Sequence, residues 1–437
     1  MLRGIKEYSK IKIKTVDGEV FEGVVMPKTK YNREDSIIIK LKSGYNMAFR
    51  LKDISKIERK GDLKNKILKQ VSHKKEEKNL KYKVLLLSTG GTIASKVEYE
   101  TGGVIASLDP QDLINLFPTW YKNDVRIIAK VIMQEMSENL TPKDWNYMIT
   151  KVIEEYQRCQ EVDGIIIGHG TDTMHYSSAA LSFKLSSLIP VPIVLVGSQR
   201  SSDRPSADSI FNIIAALEFI KAYSGKGVFV CMHGGTSDEI FHVHYGTRVR
   251  KMHTSRRDAF KSINFKPKSV IRIDLEKKKI EIKFDERDYK ENDKYKEKIK
   301  ISCYSSDVAL IKYYPGMKAE DLEYFLKNKK GVIIEGTGLG HINVRESEGL
   351  LEIIKKYSSE KFIGMTSQTI YGSVHPYVYK NLRLIKEAGV VFLKDMVPEV
   401  AYVKLSLAVN MFKTKEEIEK FMLTPIFFEI DERESYW

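Results

Sequence analysis

Two short segments of the chain place hydroxyl side chains beside glycines at the ends of apolar runs. Residues 83–96 read KVLLLSTGGTIASK, and residues 164–174 read GIIIGHGTDTM. Each apolar run is too short for an independent helix and is typical of a buried parallel strand. The glycines allow the backbone to turn sharply and to approach a ligand closely. A threonine hydroxyl in such a loop can act as a nucleophile if a neighbouring group takes its proton, so the two segments predict a hydrolytic site.

The elements that must position these segments are those of an α/β fold. Strand and helix patterns alternate over residues 84–285. Helices are expected over 142–157, 174–187 and 208–223, and further buried strands over 192–197 and 227–235. This alternation predicts a parallel sheet covered by helices on both faces. The carboxyl ends of parallel strands form the usual ligand-binding edge of such a sheet, and both segments lie at strand ends.

The motifs TGGTIAS and HGTDTM closely resemble the two signature loops of the asparaginase/glutaminase family. Both motifs are long and occur in the family's order, so the resemblance implies an amidohydrolase with a two-domain α/β core. It assigns Thr92 as the nucleophile, which attacks the side-chain amide carbon. It assigns Tyr99, in the lid-like segment YETGGV, as the phenol that helps to activate Thr92. The glycine-rich loops, including Gly91 and Gly170, would supply backbone N–H groups to the substrate and the oxyanion.

The resemblance also implies a proton-relay group. Thr171 and Asp172 match the family's second threonine and its aspartate, and spacing within RKMHTSRRDAFKS selects Lys251 as the lysine that accompanies them. A lysine serves as a base only where burial and neighbouring charge lower its pKa. By the same resemblance, Asp172 also binds the ammonium group of the substrate.

The segment 133–145, MQEMSENLTPKDW, resembles the family's substrate-binding turn before a helix. Anchoring it on Thr141-Pro142 and Trp145 places Ser137 at the substrate carboxylate and Glu138 at the substrate ammonium. A second register, anchored on Met133, would use Gln134 instead. The Pro-and-Trp anchor fits better, and Pro142 is a favourable first residue for a helix.

The remaining patterns predict further domains around this core. Residues 1–60 contain short alternating strands separated by turn signals and predict a small SH3-like or Sm-like β-barrel. Residues 61–83 and 286–300 are charged and are expected to be linkers. Residues 301–437 alternate strands and helices again and predict a smaller C-terminal α/β domain.

Composition narrows the class of protein. Lysine and arginine total 72 against 58 acidic residues, giving a formal charge of +14, which permits association with nucleic acid but also fits a lysine-rich surface. Three cysteines far apart, no apolar run of membrane-span length and no signal-peptide core favour a cytoplasmic protein. Neither a Walker loop nor a complete metal-ligand set occurs, and His233, His242 and His244 are interpreted as ordinary polar residues.

The extra N-terminal β unit and linker are absent from simple asparaginases and resemble the archaeal GatDE-type glutamyl-tRNA(Gln) amidotransferases. That resemblance implies hydrolysis of glutamine to supply ammonia to a GatE-type partner, which would use ATP and magnesium to amidate glutamate on tRNA(Gln). It also implies a homodimer within a heterotetramer. A free-standing type I asparaginase with an accessory β domain is the main alternative. A tRNA-binding or assembly component with a relic site is a second one, against which the intact Thr92, Thr171, Asp172 and Lys251 argue.

The C-terminal part contains one further glycine-rich strand end, Gly336 to His341, reading GTGLGH. The matching loop of the asparaginase/glutaminase family contacts the active site of a neighbouring protomer. The family's usual Asn-Gly-Asn is replaced here by Gly-His-Ile-Asn, so the same role does not follow from the sequence.

Overall fold

The computed structural model describes residues 5–7, 9–26, 35–41, 46–62, 80–90, 95–97, 104–106, 117–118, 120–121, 124–159, 161–200, 208–287 and 292–431. These residues form an N-terminal sheet, a large α/β unit and a smaller C-terminal α/β unit. Among the described helices, none combines the length and the apolar character that crossing a bilayer requires.

The N-terminal unit is an antiparallel sheet of β1 (Ser9–Thr15), β2 (Val20–Val25), β3 (Ser36–Leu41), β4 (Asn46–Arg50) and β5 (Ile54–Asp62). Its order is β4-β3-β2-β1-β5. Ile11, Ile13 and Ile39 belong to a small buried core on one face of this sheet. The predicted closed barrel is wrong, because the described strand pairs leave β4 and β5 at opposite edges. Alternation of apolar and polar residues is the same in an open sheet and in a barrel, and the sequence could not separate them.

The large unit contains twelve described strands in chain order. They are β6 (Tyr82–Ser88), β7 (Ser95–Val97), β8 (Val104–Ala106), β9 (Val125–Val131), β10 (Gly164–Gly168), β11 (Pro192–Val196), β12 (Gly227–His233), β13 (Ile240–Tyr245), β14 (Val249–Lys251), β15 (Phe260–Ser262), β16 (Ser269–Asp274) and β17 (Lys279–Phe284). Its described helices are α1 (Pro142–Cys159), α2 (Met174–Leu185) and α3 (Ser209–Ala222). The three expected helices are confirmed, with ends that differ from the predicted ones by two residues at most.

Eight of these strands form one mixed sheet of order β17-β16-β13-β12-β11-β10-β6-β9, while β7-β8 and β14-β15 form two-stranded sheets. The strands from β12 to β9 are parallel, as predicted. The pairs β12-β13, β13-β16 and β16-β17 are antiparallel, so the expectation of a purely parallel sheet was wrong for this half. A parallel pair requires a crossover connection, whereas β12 joins β13, and β16 joins β17, through short turns.

The C-terminal unit is a parallel four-stranded sheet of order β18-β19-β20-β21 with helices between its strands. Its elements are α4 (Lys296–Ile301), β18 (Val308–Lys312), α5 (Ala319–Asn328), β19 (Gly331–Gly336), α6 (Leu350–Ser358), β20 (Phe362–Ser367), α7 (Lys380–Glu387), β21 (Val391–Phe392), α8 (Pro398–Met411) and α9 (Lys415–Met422). The linker expected over 286–300 is partly structured, because α4 begins within it and buries Ile299.

The two α/β units share one apolar core. Residues of α2, including Leu181 and Phe183, and residues of α8, including Leu405 and Ala408, belong to a single buried cluster. A buried ion pair crosses the same boundary, with Arg248 Nη1 2.6 Å from Asp395 Oδ2. The C-terminal unit is therefore packed directly against the elements that carry the candidate site.

Candidate active site

The two signature loops leave the large sheet at adjacent points. β6 and β10 are parallel neighbours, and Ser88 lies opposite Gly168 in their register. The N–H and the hydroxyl of Thr89 both donate to the carbonyl of Gly168, at 2.9 and 3.0 Å. The loops that follow β6 and β10 are thereby joined at their roots, as the sequence predicted for two strand ends of one sheet.

Lys251 lies across the second signature loop. Its Nζ donates to Thr171 Oγ1 at 2.9 Å and to Asp172 Oδ1 at 2.6 Å. Thr171 is buried, whereas the side chain of Asp172 is 62% exposed. The structure therefore brings together the three predicted relay residues from two distant segments, with the carboxylate facing solvent.

This arrangement combines a hydroxyl, an ammonium group and a carboxylate, with the ammonium group within hydrogen-bond distance of the other two. A lysine that gives its proton to a carboxylate or to solvent can take a proton from a hydroxyl or a water. The exposed carboxylate of Asp172 can meanwhile accept a hydrogen bond from a cationic substrate group. The geometry fits acid–base catalysis at an amino-acid substrate.

The predicted substrate-binding turn contacts the same loop. Ser137 begins a 3-10 turn, Ser137–Asn139, and is 3% exposed. Its carbonyl accepts a hydrogen bond from Thr173 Oγ1 at 2.6 Å. A Cβ on Gly170 would lie 2.8 Å from Ser137 Oγ, so glycine is required for this approach. The structure thus places Ser137 and Gly170 together, and Glu138 follows in the same turn as an exposed residue.

The helix after this turn begins as the sequence predicted. The N–H and the hydroxyl of Thr141 both donate to Asp144 Oδ2, at 2.7 and 2.6 Å, which fixes the first turn of α1. Trp145 is buried against Tyr176 and Tyr402. In the other register considered, Gln134 lies before the turn as an exposed residue.

Three predicted residues of the first signature loop, Gly91, Thr92 and Tyr99, lie outside the described residues. The described root of that loop ends at Gly90, which has φ +102°. A Cβ at Gly90 would lie 2.6 Å from the carbonyl oxygen of Glu135. The first loop therefore passes close to the backbone of the segment that precedes the Ser137–Asn139 turn.

A second layer of charged residues lies behind Lys251, and sequence reasoning missed it. Arg250 Nε donates to Glu399 Oε1 at 2.7 Å. His175, near the start of α2, has its Nε2 atom 3.8 Å from the same oxygen. Arg250 adjoins the predicted lysine and Glu399 follows Pro398 at a helix start, but no local pattern links residues so far apart.

Burial controls the protonation of two histidines beside the loop. Burial lowers the pKa of His169 to about 4, although a hydrogen bond with the carbonyl of Gly170 opposes this shift. Burial also lowers the pKa of His175 to about 4, with Glu399 opposing. Both imidazoles are therefore neutral at neutral pH, and Lys251 and Arg250 supply the positive charge in this region.

The other histidines singled out by the sequence have partners in the large sheet. His242 and His244 share a face of β13, with ring centroids 5.7 Å apart. His244 pairs with Ser262 Oγ, while His233 bridges Asn212 and Asp238. In the part of the chain that the structure describes, no three His, Cys, Asp or Glu side chains are grouped to hold a metal ion.

Family models match three regions of the chain. Residues 83–286 match "Asparaginase, N-terminal", and residues 307–422 match the "Glutaminase/Asparaginase C-terminal domain". Residues 5–59 match the "GatD N-terminal domain". Together these matches cover the three units of the fold.

Curated relatives match along nearly the whole chain, and each is named as the GatD subunit of a glutamyl-tRNA(Gln) amidotransferase. The relative from Methanopyrus kandleri is 39% identical, covering 98% of this chain and 92% of the relative. The relative from Pyrobaculum aerophilum is 40% identical, covering 98% of both chains. That from Methanococcus maripaludis is 43% identical, covering 95% of this chain and 96% of the relative.

Solved structures match a smaller part of the chain. The thermostable L-asparaginase from Thermococcus kodakarensis has a TM-score of 0.67 and 31% identity, covering 80% of this chain and 100% of its own. A probable cytoplasmic L-asparaginase from Campylobacter jejuni, with a TM-score of 0.62 and 24% identity, covers 78% of this chain and 99% of its own and shares the fold.

Proposed function

Because the chain belongs to the GatD family of glutamyl-tRNA(Gln) amidotransferase components, we propose that it is the glutaminase of such an enzyme. It hydrolyses glutamine to glutamate, and the ammonia released serves the conversion of Glu-tRNA(Gln) to Gln-tRNA(Gln). The observation that carries the chemistry is the contact of Lys251 Nζ with both Thr171 and Asp172. The "GatD N-terminal domain" match at residues 5–59 favours this function over that of a free-standing asparaginase.

In the proposed mechanism, Thr92 Oγ attacks the side-chain amide carbon of glutamine. Tyr99 helps to remove the hydroxyl proton, and backbone N–H groups at Gly91 and Gly170 stabilise the oxyanion. The leaving nitrogen takes up a proton and departs as ammonia, which leaves an acyl ester on Thr92. Water then attacks this ester, with its proton taken by the Lys251 group, and glutamate is released.

The head of the substrate binds at the second loop and the adjoining turn. Ser137 holds the α-carboxylate, while Asp172 and Glu138 meet the α-ammonium group. This division fits the burial of the groups, because the two acidic residues are exposed to a cationic ligand and the serine is enclosed. Glutamine and asparagine differ by one methylene, which is worth only about 1–3 kcal/mol of discrimination in a pocket.

The partner side of the reaction belongs to other molecules. We place ATP and magnesium in a GatE-type partner that uses the ammonia to amidate glutamate on misacylated tRNA. The full assembly is proposed to be a cytoplasmic heterotetramer built on a homodimer of this chain. The net charge of +14 suits an assembly that handles tRNA.

The test measures ammonia release from glutamine and from asparagine, with and without the GatE-type partner and misacylated tRNA. We expect low basal activity that rises with partner and tRNA and prefers glutamine. Strong hydrolysis of asparagine that is indifferent to tRNA would instead favour a free-standing asparaginase.

A variant tests the nucleophile in the same complex. Thr92→Ala is expected to abolish glutamine-dependent amidation of Glu-tRNA(Gln) while amidation from added ammonium salt continues. If glutamine-dependent amidation survived this substitution, Thr92 would not be the nucleophile. If both activities were lost with a folded complex, the role of this chain would be assembly rather than ammonia supply.

A further inference from the structure

A buried carboxylate lies behind the relay and belongs to the other α/β unit. Glu399 is the second residue of α8 and is 4% exposed. Its Oε1 atom accepts the hydrogen bond from Arg250 Nε, and Arg250 is the neighbour of Lys251 in β14. This ion pair therefore connects the C-terminal unit to the short strand that carries the relay lysine.

The strand β14 needs such an anchor. It pairs with β15 in a separate two-stranded sheet, and Lys251 lies opposite Phe260 at its end. Two strands alone are marginally stable, so side-chain contacts must fix their position. Arg250 provides one contact to the C-terminal unit, and Arg248, just before β14, provides another through Asp395.

Arg250 is the cation that balances Glu399. His175 lies 3.8 Å from the same oxygen, but burial keeps its imidazole neutral at neutral pH. Within the described residues, Glu399 Oε2 and His175 Nδ1 are buried without a hydrogen-bond partner. The position of Glu399 in the first turn of α8 also suits a negative charge. Because a buried carboxylate requires a paired cation, Arg250 is held where Glu399 is.

We propose that Glu399 is a positioning residue for the relay. By holding Arg250, it fixes β14 so that Lys251 Nζ remains in contact with Thr171 and Asp172. Activity of the large unit then depends on the docking of α8 from the C-terminal unit. The proposal rests on the proposed glutaminase function, because its readout is glutamine hydrolysis.

The first test is Glu399→Gln, which keeps the shape of the side chain and removes its charge. We expect kcat for glutamine hydrolysis to fall roughly tenfold to a hundredfold, as small displacements of catalytic groups do, while KM changes much less. The matched control is Glu429→Gln. Glu429 pairs with Lys404 of the same helix as Glu399, at 2.6 Å, and both partners are fully buried. The control should lower the melting temperature and leave kcat within about twofold of wild type.

The second test asks whether the effect passes through Arg250. Arg250→Met should lower kcat as Glu399→Gln does, and Arg250→Lys should restore part of it. The double variant Glu399→Gln/Arg250→Met should be no slower than the slower single variant, since both remove the same link. The side chain of Arg250 is 25% exposed, so this series remains usable if Glu399→Gln fails to fold.

The outcomes separate the two proposals. If the wild-type complex does not hydrolyse glutamine, the proposed function fails and the positioning role fails with it. If the wild type is active but Glu399→Gln loses only thermal stability, as Glu429→Gln does, the positioning role alone is overturned. Multiplicative losses in the double variant, or a rise in KM at constant kcat, would overturn it as well.

Discussion

Two parallel strands of this chain end in glycine followed closely by threonine, and their surroundings differ sharply. At the end of β10, Thr171 is buried and its hydroxyl contacts Lys251 Nζ at 2.9 Å. At the end of β19, Thr337 is exposed and its hydroxyl donates to the carbonyl of His341 in its own loop, at 3.2 Å. The first hydroxyl faces a cation from another element, whereas the second is used within its turn.

The difference shows what converts a common strand end into a candidate catalytic site. Glycine and threonine at the carboxyl end of a strand supply a sharp turn and a hydroxyl, and both loops have these. The β10 loop gains a lysine from β14, 80 residues away in sequence, and a serine-bearing turn that packs on Gly170. The chemistry therefore depends on long-range delivery of charge rather than on the local motif.

The largest effect should come from removing that charge. Lys251→Met is expected to lower kcat for glutamine hydrolysis about 10²- to 10⁴-fold, because it deletes the group that moves protons at Thr171 and Asp172. Steady-state kinetics of ammonia release would measure it, with circular dichroism as the control for folding. A folded Lys251→Met chain with near-normal kcat would remove the distinction between the two strand ends.

The close approach at the first loop should give the next largest effect. Gly90→Ala places a Cβ 2.6 Å from the carbonyl oxygen of Glu135 at φ +102°, so the loop must shift. We expect kcat to fall roughly tenfold to a hundredfold. Gly316→Ala is the matched control, since Gly316 also has positive φ, +92°, but nothing within 4 Å of an added Cβ. Equal losses of activity in both variants would contradict the steric explanation.

Local patterns predicted the parts of the fold that depend on local physics. Continuous apolar runs located β6 and β10, and Thr141-Pro142 located the start of α1. The mixed half of the large sheet and the open N-terminal sheet were missed. Strand direction and sheet closure are set by which strands pair, and the alternation of side chains is compatible with either outcome.

The candidate site divides in the same way. Thr171 and Asp172 follow a recognisable strand end, and the family motif led to Lys251. The Arg250–Glu399 pair joins residues 149 apart, and neither belongs to a motif. Partners of this kind are chosen by tertiary packing, so a single sequence carries no signal that pairs them.

Acid stability would sharpen the comparison further. The pKa of His169, inside the β10 loop, is about 4 in the folded chain and about 6.5 when unfolded. The unfolded chain therefore binds a proton first, so the contribution of His169 is fully present above pH 6.5 and is lost as pH falls toward 4. The slope approaches about 1.4 kcal/mol per pH unit.

The measurement is denaturant unfolding of wild type and His169→Asn at several values between about pH 7 and pH 4, the window set by the two pKa values. The variant should show a shallower loss of stability across this window, because the asparagine amide does not titrate. Parallel pH profiles for the two chains would mean that His169 is not kept neutral by burial, and the β10 loop would then be less enclosed than the structure indicates.

The smallest effect is expected at the second strand end. Thr337→Val removes a hydroxyl that serves only its own loop among the described contacts, so stability should fall by about 0.5–1.5 kcal/mol or less. Glutamine hydrolysis should keep its wild-type kcat and KM, which ammonia-release kinetics of the complex would check. Thr171→Val, the same change at the β10 loop, should instead lower kcat strongly. A large loss of activity in Thr337→Val would show that the β19 loop also takes part in the chemistry, and the contrast drawn from Lys251 would have to be abandoned.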